Sequence, residues 1–136
     1  MIKRTLVILA LTVLGIGGVA YANDDQGSGD RAWAQVDPNG GSPVLVLTKN
    51  FVAVSSPITG VYCLRAASWV NLAHSAPVAS QEANLSSTIG LVTPRRVGAR
   101  NSSCPAGELQ VDTWASNSDP SSPTLVNTVG FDLVVP

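Results

Sequence analysis

The chain has 136 residues and a formal net charge of −1, with 45% hydrophobic and only 12% charged side chains. Nucleic-acid binding and polybasic membrane attachment both require clustered Lys and Arg, and eight basic residues facing nine acidic ones exclude them. The apolar share is too high for an unstructured chain, and there is room for one folded domain.

The first predicted element is a secretory signal peptide over residues 1–22, "MIKRTLVILALTVLGIGGVAYA". Lys3 and Arg4 supply the positive start, residues 6–14 are apolar apart from Thr12, and Ala20-Tyr21-Ala22 is a small-x-small cleavage pattern. A retained membrane span needs about 20 apolar residues, and this run decays into Gly15, Gly17 and Gly18. No cysteine follows it to carry a lipid, and no hydrophobic tail closes the sequence. The expected product is released outside the cell, or into the periplasm where an outer membrane exists, with no membrane span after cleavage. Cleavage after Ala22 leaves 114 residues; losing Lys3 and Arg4 from the eight basic residues leaves six against nine acidic ones, a net charge of −3.

Residues 23–30, "NDDQGSGD", lack apolar side chains and are expected to be a flexible acidic leader. From Arg31 to Pro136 the apolar residues alternate with period two, the signature of half-buried strands. "RAWAQV" is the first, closed by "DPNGG", where Asn39-Gly40 tolerates positive φ. "PVLVLT" and "NFVAVS" follow, separated at Lys49-Asn50; "SSPITG" is a predicted turn into "VYCLRAA". "SWVNLAHSA" is compatible with a short helical turn, and then come "APVASQEA", "IGLVTPRR", "LQVDTWAS" and "TVGFDLVV". Seven to eight short antiparallel strands in one domain imply an all-β sandwich, of jelly-roll or immunoglobulin-like kind.

The two cysteines, Cys63 and Cys104, are expected to pair in the oxidising space beyond the membrane. In "GVYCLRA", Arg65 belongs outside, which turns Tyr62, Leu64 and Ala66 to the core and Cys63 to the outer face. The bridge would then clamp a long loop against the sheet. By the same alternation Phe131, Leu133 and Val135 point inward, as do Leu109 and Val111, whereas Gln110, Asp112, Trp114 and Asp132 point outward.

Taken together, "AWAQVDPNG", "TGVYCLRA", "CPAGELQVDTWASN" and the closing "VGFDLVVP" resemble a group of small exported bacterial β-domains. Members open with an aromatic or Ala, a Val and an Asp- or Asn-Gly turn; a G-x-Y-x-[VL] strand follows, and an F-x-[LFV]-V-V strand ends them. The pair "VYC" and "CPAG" is similar to the cysteine pairing of members that carry signal peptides. The resemblance spans residues 31–136, implies fold and export, and assigns no activity and no site residue.

Chemistry is sparsely signalled. His74 is the one histidine, so a Ser-His-Asp triad or a His/Cys zinc site has a single member available. Asp37, Glu82, Glu108, Asp112, Asp119 and Asp132 could supply paired carboxylates, but no spacing selects two of them. Asp37 with Asn39, and Asn117 with Asp119, offer calcium too few oxygens, and turn chemistry explains both. No catalytic, metal-binding or cofactor-binding residue is expected. Arg95, Arg96 and Arg100 form a small basic cluster expected to be a solvated loop, and Asn84 and Asn101 begin Asn-x-Ser sequons. The strongest surface signals are Trp114, Trp33 and Trp69, since an exposed aromatic ring stacks well on a sugar or a partner's side chain. The expected function is a secreted, non-enzymatic module binding a glycan or protein surface. The alternative is a structural subunit of a surface layer or appendage, favoured by an uncovered edge strand at "FVAVS" or "TVGFDLVV"; a small hydrolase ranks third.

Overall fold

The structure, a computed structural model, describes residues 31–116 and 121–136. The expected signal peptide, the acidic leader, Asn117 and Asp119 lie outside the described residues. Within them the period-two pattern builds eight strands: β1 (Ala32–Asp37), β2 (Val44–Lys49), β3 (Phe51–Ile58), β4 (Val61–Ala66), β5 (Val78–Gln81), β6 (Gly90–Arg95), β7 (Leu109–Ala115) and β8 (Phe131–Val135). Among the described residues helix is confined to two single 3-10 turns, Asn39–Gly41 and Ala83–Leu85. At the first turn Asn39 and Gly40 take φ of 40° and 64°, and the Asp37 carboxylate accepts a hydrogen bond from the Asn39 backbone N–H at 2.8 Å.

The strands form two four-stranded antiparallel sheets, ordered β2-β1-β8-β5 and β3-β4-β7-β6, packed as a β-sandwich. Every second residue of β1 and β8 (Ala32, Ala34, Val36; Phe131, Leu133, Val135) meets Tyr62 and Leu64 of β4 and Leu109 and Val111 of β7 in one core. The inward faces predicted for β4, β7 and β8 are those observed. Tyr62 and Phe131 join the layers edge to face, with ring centroids 5.3 Å apart.

Three local expectations change. "SSPITG" is not all turn: β3 runs on to Ile58, and only Thr59 and Gly60 make the reversal. An edge strand tolerates Pro57 because its outer N–H positions need no partner, and register shifts absorb the extra residues. "SWVNLAHSA" forms no helix; it makes two separate turns, closed by Val70 N–H to Ala67 O and Ser75 N–H to Leu72 O. "FVAVS" lies in an edge strand, but "TVGFDLVV" does not, because β8 is paired on both sides, by β1 and by β5.

The predicted bridge is present. Cys63 and Cys104 are bonded, 5.4 Å apart at Cα, and no free cysteine occurs among the described residues. Cys63 sits on the outer face of β4, opposite Gln110 of β7, and the bridge holds the segment 96–108 over that face. This covering segment alters what the alternation implied for Gln110 and Asp112. Both point away from the core as predicted, yet they are only 3% and 1% exposed. Their polar atoms are all matched: Gln110 donates to the Asp112 carboxylate at 2.6 Å and accepts from Ser103 N–H and Ser102 O–H at 2.8 and 3.0 Å. Arg95 Nε donates to the other Asp112 oxygen at 2.6 Å, so this arginine is engaged in an ion pair, while Arg96 and Arg100 remain exposed. The outer face of the second sheet therefore carries a small buried polar layer with no orphaned side-chain atom among the described residues.

Candidate functional site

The three tryptophans do not converge. Trp33 alternates with core-facing Ala32 and Ala34, which places it on the outer face of the first sheet. Trp114 lies on the outer face of the second sheet, paired with Leu91 of β6 and bridged to Leu125, and is partly covered. Trp69 follows β4 in the turn region at one end of the sandwich. Because β4 and β7 are antiparallel, the Ala66 end of β4 lies beside the Leu109 start of β7, so Trp69 and Trp114 occupy opposite ends.

Trp69 is the most open of the three, 77% exposed, and it borders two hollows of the described surface. One, of about 540 Å³, runs between the turn after β4 and the tip of the covering segment, with Arg65, Val97, Gly107 and Glu108 in its wall. The other, of about 360 Å³, is bounded by Arg31 and Asn50. Trp69, Val70 and Asn71 line both, so this one turn is the partition between them. The partition is tied down by backbone bonding. Arg31 donates to Asn71 O at 3.2 Å, Asn50 Nδ2 donates to Arg31 O at 2.7 Å, and Asn71 Oδ1 accepts from Ala73 N–H at 2.9 Å. Asn50 reaches this position because it adopts φ of 63° at the β2–β3 corner, a conformation Asn tolerates.

A second feature lies on the outer face of the first sheet. The register sets Gln35, Asp132 and Ser80 in one row and Trp33, Val134 and Val78 in the next. A shallow cleft of about 180 Å³ opens beside Trp33 and Asp132. Burial, then the nearby Glu82 carboxylate, pushes the Asp132 carboxyl above its usual range, with Gln35 pulling partly the other way. Spacing along the chain selects no such pair, yet the β5–β8 register brings Glu82 and Asp132 together. They meet directly, whereas the carboxyls of a glycosidase stand roughly 5 to 9.5 Å apart with the bond between them.

Asp132 has a pH signature. Its proton is held more tightly in the folded than in the unfolded chain, so the group favours folding below the ordinary carboxylate range. That contribution is lost as pH rises through the raised folded value. Asp132→Asn removes the repulsion and is expected to raise the thermal midpoint at pH 7 by a few degrees. The two proteins should converge below about pH 3, where Asp132 is largely neutral in both states. Melting curves across that range check this, and a gain that persists unchanged at low pH would contradict it.

The remaining sequence candidates stay apart. His74 is exposed in the loop after β4. Asp37 and Asn39 spend their polar atoms on the first turn, and Asn39 donates to Ser42 O at 3.2 Å. The Asn84 amide donates to Glu82 at 2.9 Å, and Asn101 is exposed with φ of 61°. Among the described residues no group of three or more His, Cys, Asp or Glu is placed to hold a metal ion. No helix there is long and apolar enough to cross a membrane. No protein-family model, no curated protein and no solved structure matches the chain.

Proposed function

We propose that this protein is an exported, non-enzymatic binding module whose contact surface is the end of the sandwich around Trp69. The observation that carries the reading is an aromatic residue left 77% exposed in a turn that lines two hollows. Both hollows fall in the size range of ligand sites. Leaving a Trp in water forfeits the gain from its burial, and no part of the fold described here covers it. The disulfide and the signal-like residues 1–22 support export, and the likeness to small exported bacterial β-domains supports the same class.

Trp69→Ala is expected to leave the unfolding midpoint unchanged, because the ring contributes little packing. It should weaken binding about ten-fold, the factor that one stacking contact of about 1.4 kcal/mol supplies. A glycan array and a pull-down from cell-surface material, each run with parent and variant, provide the measurement. Binding that is indifferent to Trp69 would refute the reading.

A second reading, a subunit of a surface layer or appendage, draws on β2. Of the four sheet edges, β3 carries Pro57, β6 carries Pro94 and β5 has only four residues. By contrast β2 presents Val44, Val46 and Leu47 at 44–55% exposure, guarded by one register shift and Lys49. Concentration-dependent assembly in size-exclusion chromatography, abolished by Val46→Lys, is the result that would favour this reading over the first.

A further inference from the structure

We infer that the ligand at Trp69 is a linear polysaccharide bearing carboxylates, which crosses the ring with sugar units on both sides. This rests on the binding reading above and adds the ligand's chemistry and its mode of engagement.

The shape argument comes first. A pocket for a chain terminus is one hollow with the aromatic ring as floor or wall. Here Trp69, with Val70 and Asn71, lines two neighbouring hollows of about 540 and 360 Å³. A single sugar seated in either would leave the other hollow in water. An extended chain laid over the partition uses both. A protein partner fits less well, since a stable interface covers about 800 Å² on each side around an apolar centre. Around Trp69 the exposed neighbours are Ser68, Asn71, Ala73 and His74, a small and polar set.

Charge then narrows the sugar. One arginine stands on each side of the partition, Arg65 in the larger hollow and Arg31 in the smaller, with one carboxylate, Glu108, beside Arg65. The side chains of Arg65 and Glu108 make no hydrogen bond or ion pair among the described residues, although both line the same hollow. Arg31 uses only Nη1, for Asn71 O. Two guanidinium groups with donors to spare, one in each of the two hollows that share Trp69, match successive carboxylates along a polymer, because guanidinium and carboxylate pair in a planar, two-bonded geometry. Glu108 can accept from a sugar hydroxyl next to the first of these. The net charge of this end is thus positive in a chain whose overall charge is negative.

The test uses the protein as recovered from the growth medium and isothermal titration with two ligand series. One series is a linear 1,4-linked hexuronate and the other the neutral 1,4-linked hexose, each as mono-, di- and tetrasaccharide. No measurable binding of either monosaccharide is expected. The tetrauronate should bind about ten-fold more tightly than the neutral tetrasaccharide at low salt, with the gap closing in high salt. Arg65→Gln should remove part of that gap while leaving the neutral series unchanged, and Arg31→Gln, which also loses the bond to Asn71 O, should weaken the uronate series more than the neutral one. Both side chains are exposed, so the variants should melt with the parent.

A monosaccharide that binds as tightly as its tetramer overturns crossing of the ring. Equal affinity for the two series overturns the carboxylate. If neither series binds while another ligand is captured through Trp69, the inference falls and the binding reading stands. Uronate binding unaffected by Trp69→Ala would remove both.

Discussion

Cys104→Ser is expected to lower the unfolding free energy by about 4 kcal/mol, a large share of what a domain of this size possesses. The bridged residues are 41 apart in sequence, and opening that loop restores the freedom the bridge denies the unfolded chain. The folded state loses something as well. Cys104 fixes the covering segment, and without it water reaches the layer formed by Gln110, Asp112 and Arg95. Urea titration should therefore show a lower midpoint and a steeper dependence on denaturant, because the unfolded variant exposes more surface. Reductant should bring the parent to the same midpoint and leave the variant where it is. A parent indifferent to reductant would show that the bridge contributes little.

Phe131→Ala is expected to cost 3–5 kcal/mol, roughly the range for removing a fully buried aromatic ring. The ring belongs to β8 in one sheet and meets Tyr62 of β4 in the other, so its loss leaves a void between the layers instead of at an edge. Tyr62→Phe provides the contrast, since it keeps the ring and deletes only the hydroxyl. Burial pushes the Tyr62 phenol above its ordinary range, so it stays protonated and donates to Asn127 Oδ1 at 3.2 Å. That acceptor also takes the Gly60 backbone N–H at 2.5 Å and is not orphaned by the change, which limits the loss to about 1 kcal/mol. Chemical denaturation of both single variants and the double variant gives the coupling between the Phe131 ring and the Tyr62 hydroxyl. A cost below about 1 kcal/mol for Phe131→Ala would mean that the layers close over the gap.

Alternation was sufficient to locate each of the eight strands, though not the full length of β3, and to assign the inward faces of β4, β7 and β8, because a residue's side of a sheet is a local property. What lies over that side is not local. Gln110 and Asp112 are polar residues at outward positions, and only the bridge to Cys104 and the path of residues 96–108 make them buried. Glu82 and Asp132 are 50 residues apart in sequence, and their meeting depends on how β5 registers against β8. The Trp69 site falls between these cases. Composition marked the ring as a candidate, but the two hollows it borders arise from Asn50, Arg31 and the tip of the covering segment, which reach it from three separate stretches of chain. The continuation of β3 to Ile58 was hidden by Ser-Ser-Pro, which reads as a turn unless the strand is known to be an edge.

The pairing of β1 with β8 sets an order of events. Ala32 lies opposite Val135, so the central seam of one layer joins the two ends of the folded unit. A chain leaving the ribosome can zip β3 onto β4 early, but β1 keeps one flank empty until the last five-residue strand emerges. Until then one edge of β1 lacks its hydrogen-bonding partner, and the core-facing side chains of β8 are missing from between the layers. Closure comes in one late step, when Phe131 and its neighbours slot between β1 and β5.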